Sequence, residues 1–397
     1  MISGELSIFI CLIIMLAGIF YLAKSNNKLT KLVFTAIPPL LFCYFLPSLF
    51  VEYGLIEIGT SDLNGTLAKT LLPFCIFYFT LGLPIKKLKA IGKQPIILFL
   101  VGALGVIIGG PISLIISHYF FPTDFNAQSY QGMATIAGSW IGGTANQMAL
   151  NAIFLPKPDE LAKAVTVDVF FGELWLAILL ILIPFQQTIN NYLKARFDNS
   201  FVANNLSEEF VVKKFTFNHL IFILGFVFCI TALSTFTSKY IAEFVGISFL
   251  NNSFWTFLTC TIAGICLGQT KLNKLFNEGG DVIATLFLYF IIASIGLKIS
   301  LSHLFSTPIL LFTGFIWISI HGLAIFAVGK WIRAPYHYMA IASQANVGGI
   351  ASASIVATAF SPILTPLGVI LALLGYAVGT YGGYISALLM QWVSQTY

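Results

Sequence analysis

Two stretches of this sequence set paired glycines among small polar residues with no charge: Ala137-Gly138-Ser139-Trp140-Ile141-Gly142-Gly143-Thr144-Ala145-Asn146-Gln147 and Ala342-Ser343-Gln344-Ala345-Asn346-Val347-Gly348-Gly349-Ile350-Ala351-Ser352. Glycine pairs let the backbone turn sharply and approach a ligand closely. Carbonyls unwound at such a turn, together with Ser139, Thr144 and Asn146, suit sodium, a hard cation that prefers oxygen ligands. Free amides and helix N-termini at the same place favour an anionic group. The second stretch lies in a tail, Ala334 to Tyr397, that lacks Asp, Glu, Lys and Arg. Its hydrogen-bonding capacity is therefore neutral: Ser343, Gln344, Asn346 and Ser352, with the backbone at Gly348 and Gly349. The competing reading of both stretches is that small residues only let helices pack tightly.

Asp168 and Glu173 stand in the otherwise apolar run Val165 to Pro184, directly after the first stretch. A carboxylate at membrane depth is costly, which makes each a candidate cation ligand or proton carrier. Five residues apart on a helix, they are separated by about 140° and do not share a face. A sodium site at Asp168 and Asn146, with Ser139, Gly142, Gly143, Thr144 and Glu173 nearby, is one expectation. The alternatives are an Asp168 at a helix end near the headgroups and a Glu173 satisfied between helices. Thr380, Tyr381 and Tyr384 hold the corresponding place after the second stretch, and Thr380 joins Ser343, Gln344, Asn346, Gly348, Gly349 and Ser352 as a candidate solute contact. His321 reads either as a hydrogen-bonded core histidine or as a proton relay.

The elements that must position these residues are membrane helices. Of 397 residues, 58% are hydrophobic and 9% are charged, against roughly 25% charged in a soluble domain. No soluble interior hides so much apolar surface. The net charge of +5 comes from residues between the apolar segments, a pattern of membrane topology and not of nucleic-acid binding. All six cysteines fall inside apolar segments without metal or redox spacing, and read as buried free thiols. Leu6 to Ala23 reads as a retained first helix, because MISGELS lacks the basic start of a cleaved signal.

Apolar runs near 6–23, 32–50, 70–84, 95–117, 165–184, 216–237, 252–268, 282–297, 308–329 and 365–390 give ten spans. The glycine stretches, 131–155 and 338–360, are weaker. If both cross the membrane, the 20 Lys and Arg divide 11 to 9; if both dip in and return, they divide 15 to 5. Basic residues collect in the cytoplasm, so the second arrangement is preferred. It gives five helices per half (1–184 and 216–397), a cytoplasmic linker at 185–215, and both termini outside. An odd number of crossings inverts the second half. Phe79-Thr80-Leu81-Gly82-Leu83 matches Ala293-Ser294-Ile295-Gly296-Leu297, Pro95 to Phe99 matches Pro308 to Phe312, and the glycine pairs follow in the same order. The fold class expected is thus an all-α integral membrane protein, an inverted repeat of 5+5 helices with two re-entrant hairpins. This is a plan of secondary transporters.

These two halves resemble the sodium/glutamate symporters and the 2-hydroxycarboxylate transporters. More closely, Gly138 to Asn146 and Gln344 to Gly349 resemble an uncharacterised family of bacterial membrane proteins placed near those symporters and the bile-acid transporter superfamily. The resemblance implies an inner-membrane transporter, a homodimer, in which the first two helices of each half form a scaffold and the rest an elevator-type core. No histidine flanks Gly142-Gly143, so glutamate is not carried over as the substrate. The expected function is sodium-coupled symport of a small organic anion or amino-acid-like solute, with no cofactor beyond sodium or a proton. The rivals are a sodium/proton antiporter, a channel, and an intramembrane hydrolase; the last lacks a second membrane aspartate and a GxSxG site, and no enzyme is expected.

Overall fold

The computed structural model describes residues 2–36, 39–58, 63–83, 85, 88, 91–121, 129–196, 217–247, 250–273, 281–297 and 308–396. Its first half contains α1 (Glu5–Ala23), α2 (Lys28–Ala36), α3 (Pro39–Glu52), α4 (Leu63–Leu81), α5 (Lys93–Phe120), α6 (Ser129–Gly142), α7 (Thr144–Phe154), α8 (Pro158–Ile181) and the short α9 (Gln186–Leu193). The second contains α10 (Phe217–Val245), α11 (Asn252–Gly268), α12 (Asp281–Gly296), α13 (Pro308–Trp331), α14 (Tyr336–Val347), α15 (Gly349–Phe360) and α16 (Thr365–Thr396). One two-residue strand pair, Ile2–Ser3 with Ile56–Glu57, ties the chain's start to the turn after α3. Each of the ten apolar runs is helical; the second is divided into α2 and α3. The expected linker begins with α9, and its residues 197–215 lie outside the described part.

This is an all-α integral membrane protein. Among the described residues, six helices are long and apolar enough to cross a membrane: α1, α5, α8 with its extension to Leu193, α10, α13 and α16. Their outward faces are apolar too, as at Ile14, Leu104, Leu233 and Leu323, so the solvent they meet is hydrocarbon. The expectation of six buried thiols is corrected here: Cys229 and Cys266 lie on the outward surface. An apolar segment in lipid has no need to bury its cysteines.

The helices sort into two groups. In one, α4 packs on α11 and α12, α12 on α3, and α10 on α11. In the other, α5 packs on α13 and α16, α6 on α8 and α16, and α15 on α16. The third helix of each half, α4 and α12, thus packs with the first group. Gly264 and Gly268 of α11 sit on the backbone of α4, and Gly296 of α12 on that of α3. Without a Cβ these helices approach to backbone contact, which is the source of packing energy available in lipid.

The two ends of the bundle differ. At one, Gln94 donates to the Ile332 carbonyl (3.2 Å), Tyr336 N–H to Asn190 Oδ1 (2.8 Å), and Arg196 N–H to the Arg333 carbonyl (2.8 Å). This basic end gathers Lys93, Lys194, Arg196, Lys330 and Arg333. At the other, Ser117 and Thr313 share a hydrogen bond of 2.7 Å, and Phe121 packs edge-on against Phe312 at 5.7 Å.

Candidate functional site

Both glycine stretches are broken helices that fold back. Gly143 has φ 86° and Gly349 φ 65°, the left-handed region in which glycine is unpenalised. Each break returns the chain beside its own start: the Tyr130 and Phe154 rings lie 6.2 Å apart, and those of Tyr336 and Phe360 5.6 Å apart. The first pair is open away from the basic end, where Phe154 meets Tyr384, and the second at the basic end beside Asn190. Their tips meet inside the bundle, where a Cβ built on Gly143 would lie 3.8 Å from Gly349 Cα and 3.5 Å from the Tyr376 ring. Tyr376 in turn stacks on Phe79 of α4 at 4.6 Å, so the tips abut the other helix group.

The two glycines of each pair do different work. Only Gly143 and Gly349 turn the chain. Gly142 rests directly on the Gly375 carbonyl, and Gly138 on Gly383, so α6 crosses α16 backbone to backbone. The packing reading thus applies to Gly138 and Gly142, and the bending reading to Gly143.

Asp168 lies on the inward face of α8, 6% exposed. Ser139 Oγ (2.8 Å) and Gln147 Nε2 (2.9 Å) both donate to its Oδ2. Ser139 precedes the break and Gln147 follows it, so the fold-back of α7 on α6 is what brings them to one carboxylate. The Tyr44 hydroxyl of α3 approaches Gln147 Oε1 at 3.5 Å, linking this cluster to the other helix group. Both donors are neutral, so the carboxylate's charge is solvated but not balanced. A buried charge in that condition favours gaining a cation or a proton.

Asn146, expected beside Asp168, turns the other way. Its Nδ2 donates to the Gly142 carbonyl (2.8 Å), and its Oδ1 accepts from the Thr380 backbone N–H (3.0 Å) and hydroxyl (2.7 Å). Successive residues on a helix point about 100° apart, so Asn146 and Gln147 cannot both face Asp168. Thr380 accordingly belongs with the first broken pair, not with the second. Glu173 is exposed on α8, about 140° around the helix from Asp168. Thr144 is half-buried at the start of α7.

In the second pair, Trp175 Nε1 donates to Ser343 Oγ (2.8 Å), Ser343 meets His321 Nε2 (2.9 Å), and His321 Nδ1 meets the Gly102 carbonyl (2.9 Å). A carbonyl can only accept and an indole N–H only donate. With Ser343 donating to Nε2, both nitrogens of a neutral His321 are satisfied, the arrangement of a hydrogen-bonded core histidine. Ser343 is committed to that network. Gln344 Oε1 and Asn346 Oδ1 are buried acceptors with no donor among the described residues, and Ser352 packs against Gly348. Sequence reasoning missed Gln147, Tyr44, Trp175 and Tyr376 as partners. Gln147 stood in the first motif, but its eight-residue separation from Ser139 means nothing until the chain is known to turn between them.

The chain matches, over residues 11–394, the family described as "Protein of unknown function (DUF819)". It is 23% identical over 347 residues to "Uncharacterized membrane protein YjcL" of Bacillus subtilis (strain 168), covering 84% of this chain and 85% of that protein. The family match runs through both broken helix pairs and Asp168, and this multi-pass membrane protein belongs to the DUF819 family.

Proposed function

We propose that this protein is a secondary transporter in which binding of a cation at Asp168 is coupled to movement of a small organic anion or amino-acid-like solute. The observation that carries the reading is the meeting of two glycine-broken helix pairs, open toward opposite ends, beside a buried carboxylate that neutral donors leave uncompensated. In membrane terms these pairs are re-entrant hairpins of an inverted 5+5 repeat, the first entering from outside and the second from the cytoplasm. The basic end is cytoplasmic by its charge. A half-turn of the Gln147 amide replaces Nε2 by Oε1, giving a sodium ion oxygen ligands from Asp168, Gln147 and Ser139. The Gln344 and Asn346 oxygens are the acceptors of the second hairpin still open to a solute donor, such as an ammonium or hydroxyl.

The boundary between the two helix groups, with Tyr376 on Phe79 and Gln147 near Tyr44, is the surface along which an elevator-type core moves against a dimeric scaffold. A thermal-shift series on purified protein tests the cation site. Sodium should stabilise the native protein and leave Asp168→Asn unchanged; equal stabilisation of both by sodium over potassium refutes the assignment. Proteoliposomes carrying a pH dye test the sodium/proton antiporter, which shares the same carboxylate: sodium-driven proton movement without organic solute would establish that reading instead.

A further inference from the structure

Between the two helix groups, at the end opposite the basic one, lies a cavity of about 850 Å³. Its walls come from the starts of α4 and α11, the last turns of α10, and the segment joining α7 to α8. It is lined by Lys69 and Lys239 and, among the described residues, by no Asp or Glu. Neither lysine has a carboxylate partner among the described residues, and the nearby Glu160 is already paired with Lys163 at 3.3 Å.

Topology makes these lysines informative. Of the 20 Lys and Arg, the arrangement derived from charge leaves only five outside. Two of those five line this cavity, and Lys157 sits between its lining residues Pro156 and Pro158. Basic residues are depleted at this end by the insertion bias itself, so their convergence on one cavity is not a by-product of topology. Ser253 and Thr256 in the first turns of α11 add hydroxyls on a wall where a helix begins, which also favours negative charge. Asn151, Thr235, Ser238 and Asn252 add neutral polar groups, and Leu155, Leu161 and Phe257 supply the apolar part of the lining. A volume in the usual range for small-molecule sites, lined by two unpaired cations, neutral polar groups and apolar side chains, fits an anion that also carries an apolar body.

We infer that this cavity is an outer binding site for an organic anion with an apolar body, its carboxylate held between Lys69 and Lys239 and its body against Leu155, Leu161 and Phe257. The inference rests on the transporter reading only in making this anion the cargo. The wall formed by the end of α7 and the segment joining it to α8 is the base of the hairpin whose tip holds Ser139 and Gln147, so a bound anion would touch the same element that senses Asp168.

The test is calorimetric titration of the full-length protein, in nanodiscs of neutral phosphatidylcholine, with 2-naphthoate and with its neutral analogue 2-naphthamide. Naphthoate should bind at least about tenfold more tightly than the amide, the value of one charge-assisted hydrogen bond, and should weaken as salt rises. Lys69→Gln/Lys239→Gln should abolish that preference, the doubly arginine-substituted protein should keep it, and Lys163→Gln at the same end should leave it intact. Equal binding of acid and amide by the native protein overturns the site whatever the variants do. So does a response to phosphatidylglycerol nanodiscs, lost in the double glutamine variant, with no response to naphthoate; the cavity would then hold a lipid headgroup. Asp168→Asn separates the two proposals: it should still bind naphthoate while losing the sodium response.

Discussion

Replacing Gly142 and Gly143 one at a time separates packing from bending. A Cβ at position 142 would lie 2.7 Å from the Gly375 carbonyl carbon, and nearer to its oxygen. Carbon atoms settle at about 3.5 Å or more, so α6 and α16 must part by about 1 Å along a crossing where Gly138 and Gly383 also touch. Overpacking costs about 1–3 kcal/mol where side chains can adjust. Here the obstacle is backbone, which puts Gly142→Ala at or above the top of that range. At position 143 the nearest atoms are 3.5 and 3.8 Å away, so the cost is conformational: φ 86° with ψ −176° is essentially glycine's alone, at about 1–3 kcal/mol for an L-residue. Thermal unfolding of the purified variants should rank native above Gly143→Ala, and Gly143→Ala well above Gly142→Ala. Gly18→Ala is the control, with nothing within 4 Å of the new Cβ, and should match or exceed the native protein. If Gly143→Ala fell as far as Gly142→Ala, or Gly142→Ala unfolded with the native protein, the division of labour argued for the pair would be wrong.

Removing Ser139 or Gln147 as a donor to Asp168 should destabilise the protein by about 1.5–3 kcal/mol each, the worth of a hydrogen bond to a charged group; chemical unfolding of Ser139→Ala and Gln147→Leu measures it. Asn146→Ala strands the Thr380 hydroxyl and backbone N–H together, and should cost about 1–3 kcal/mol, whereas Thr380→Val removes one donor and should cost less. Glu173→Gln changes an exposed side chain that makes no hydrogen bond to Asp168, and should leave the sodium thermal shift at its native value; loss of that shift would bring Glu173 back into the site. Single cysteines at positions 157 and 333 should be labelled by impermeant maleimide from opposite sides of the membrane, and labelling of both from the same side would refute the proposed topology.

Composition alone determined that lipid is the solvent of this chain, because 58% hydrophobic residues cannot be hidden in a soluble core. Hydropathy runs located the helices to within a few residues, since a segment in hydrocarbon must satisfy its own backbone hydrogen bonds and does so only as a helix. Glycine pairs likewise marked the breaks, as φ values of 86° and 65° need glycine. Partnership was a different matter. Whether Asn146 or Gln147 reaches Asp168 depends on the rotation of α7 after the turn, and nothing local to the sequence fixes that angle. The commitment of Ser343 to His321 and Trp175 joins α14 to α13 and α8, elements far apart in the chain. The same holds for the cavity. Lys69 and Lys239 are 170 residues apart, and only the packing of α4 beside α10 and α11 brings two scattered charges to one cavity.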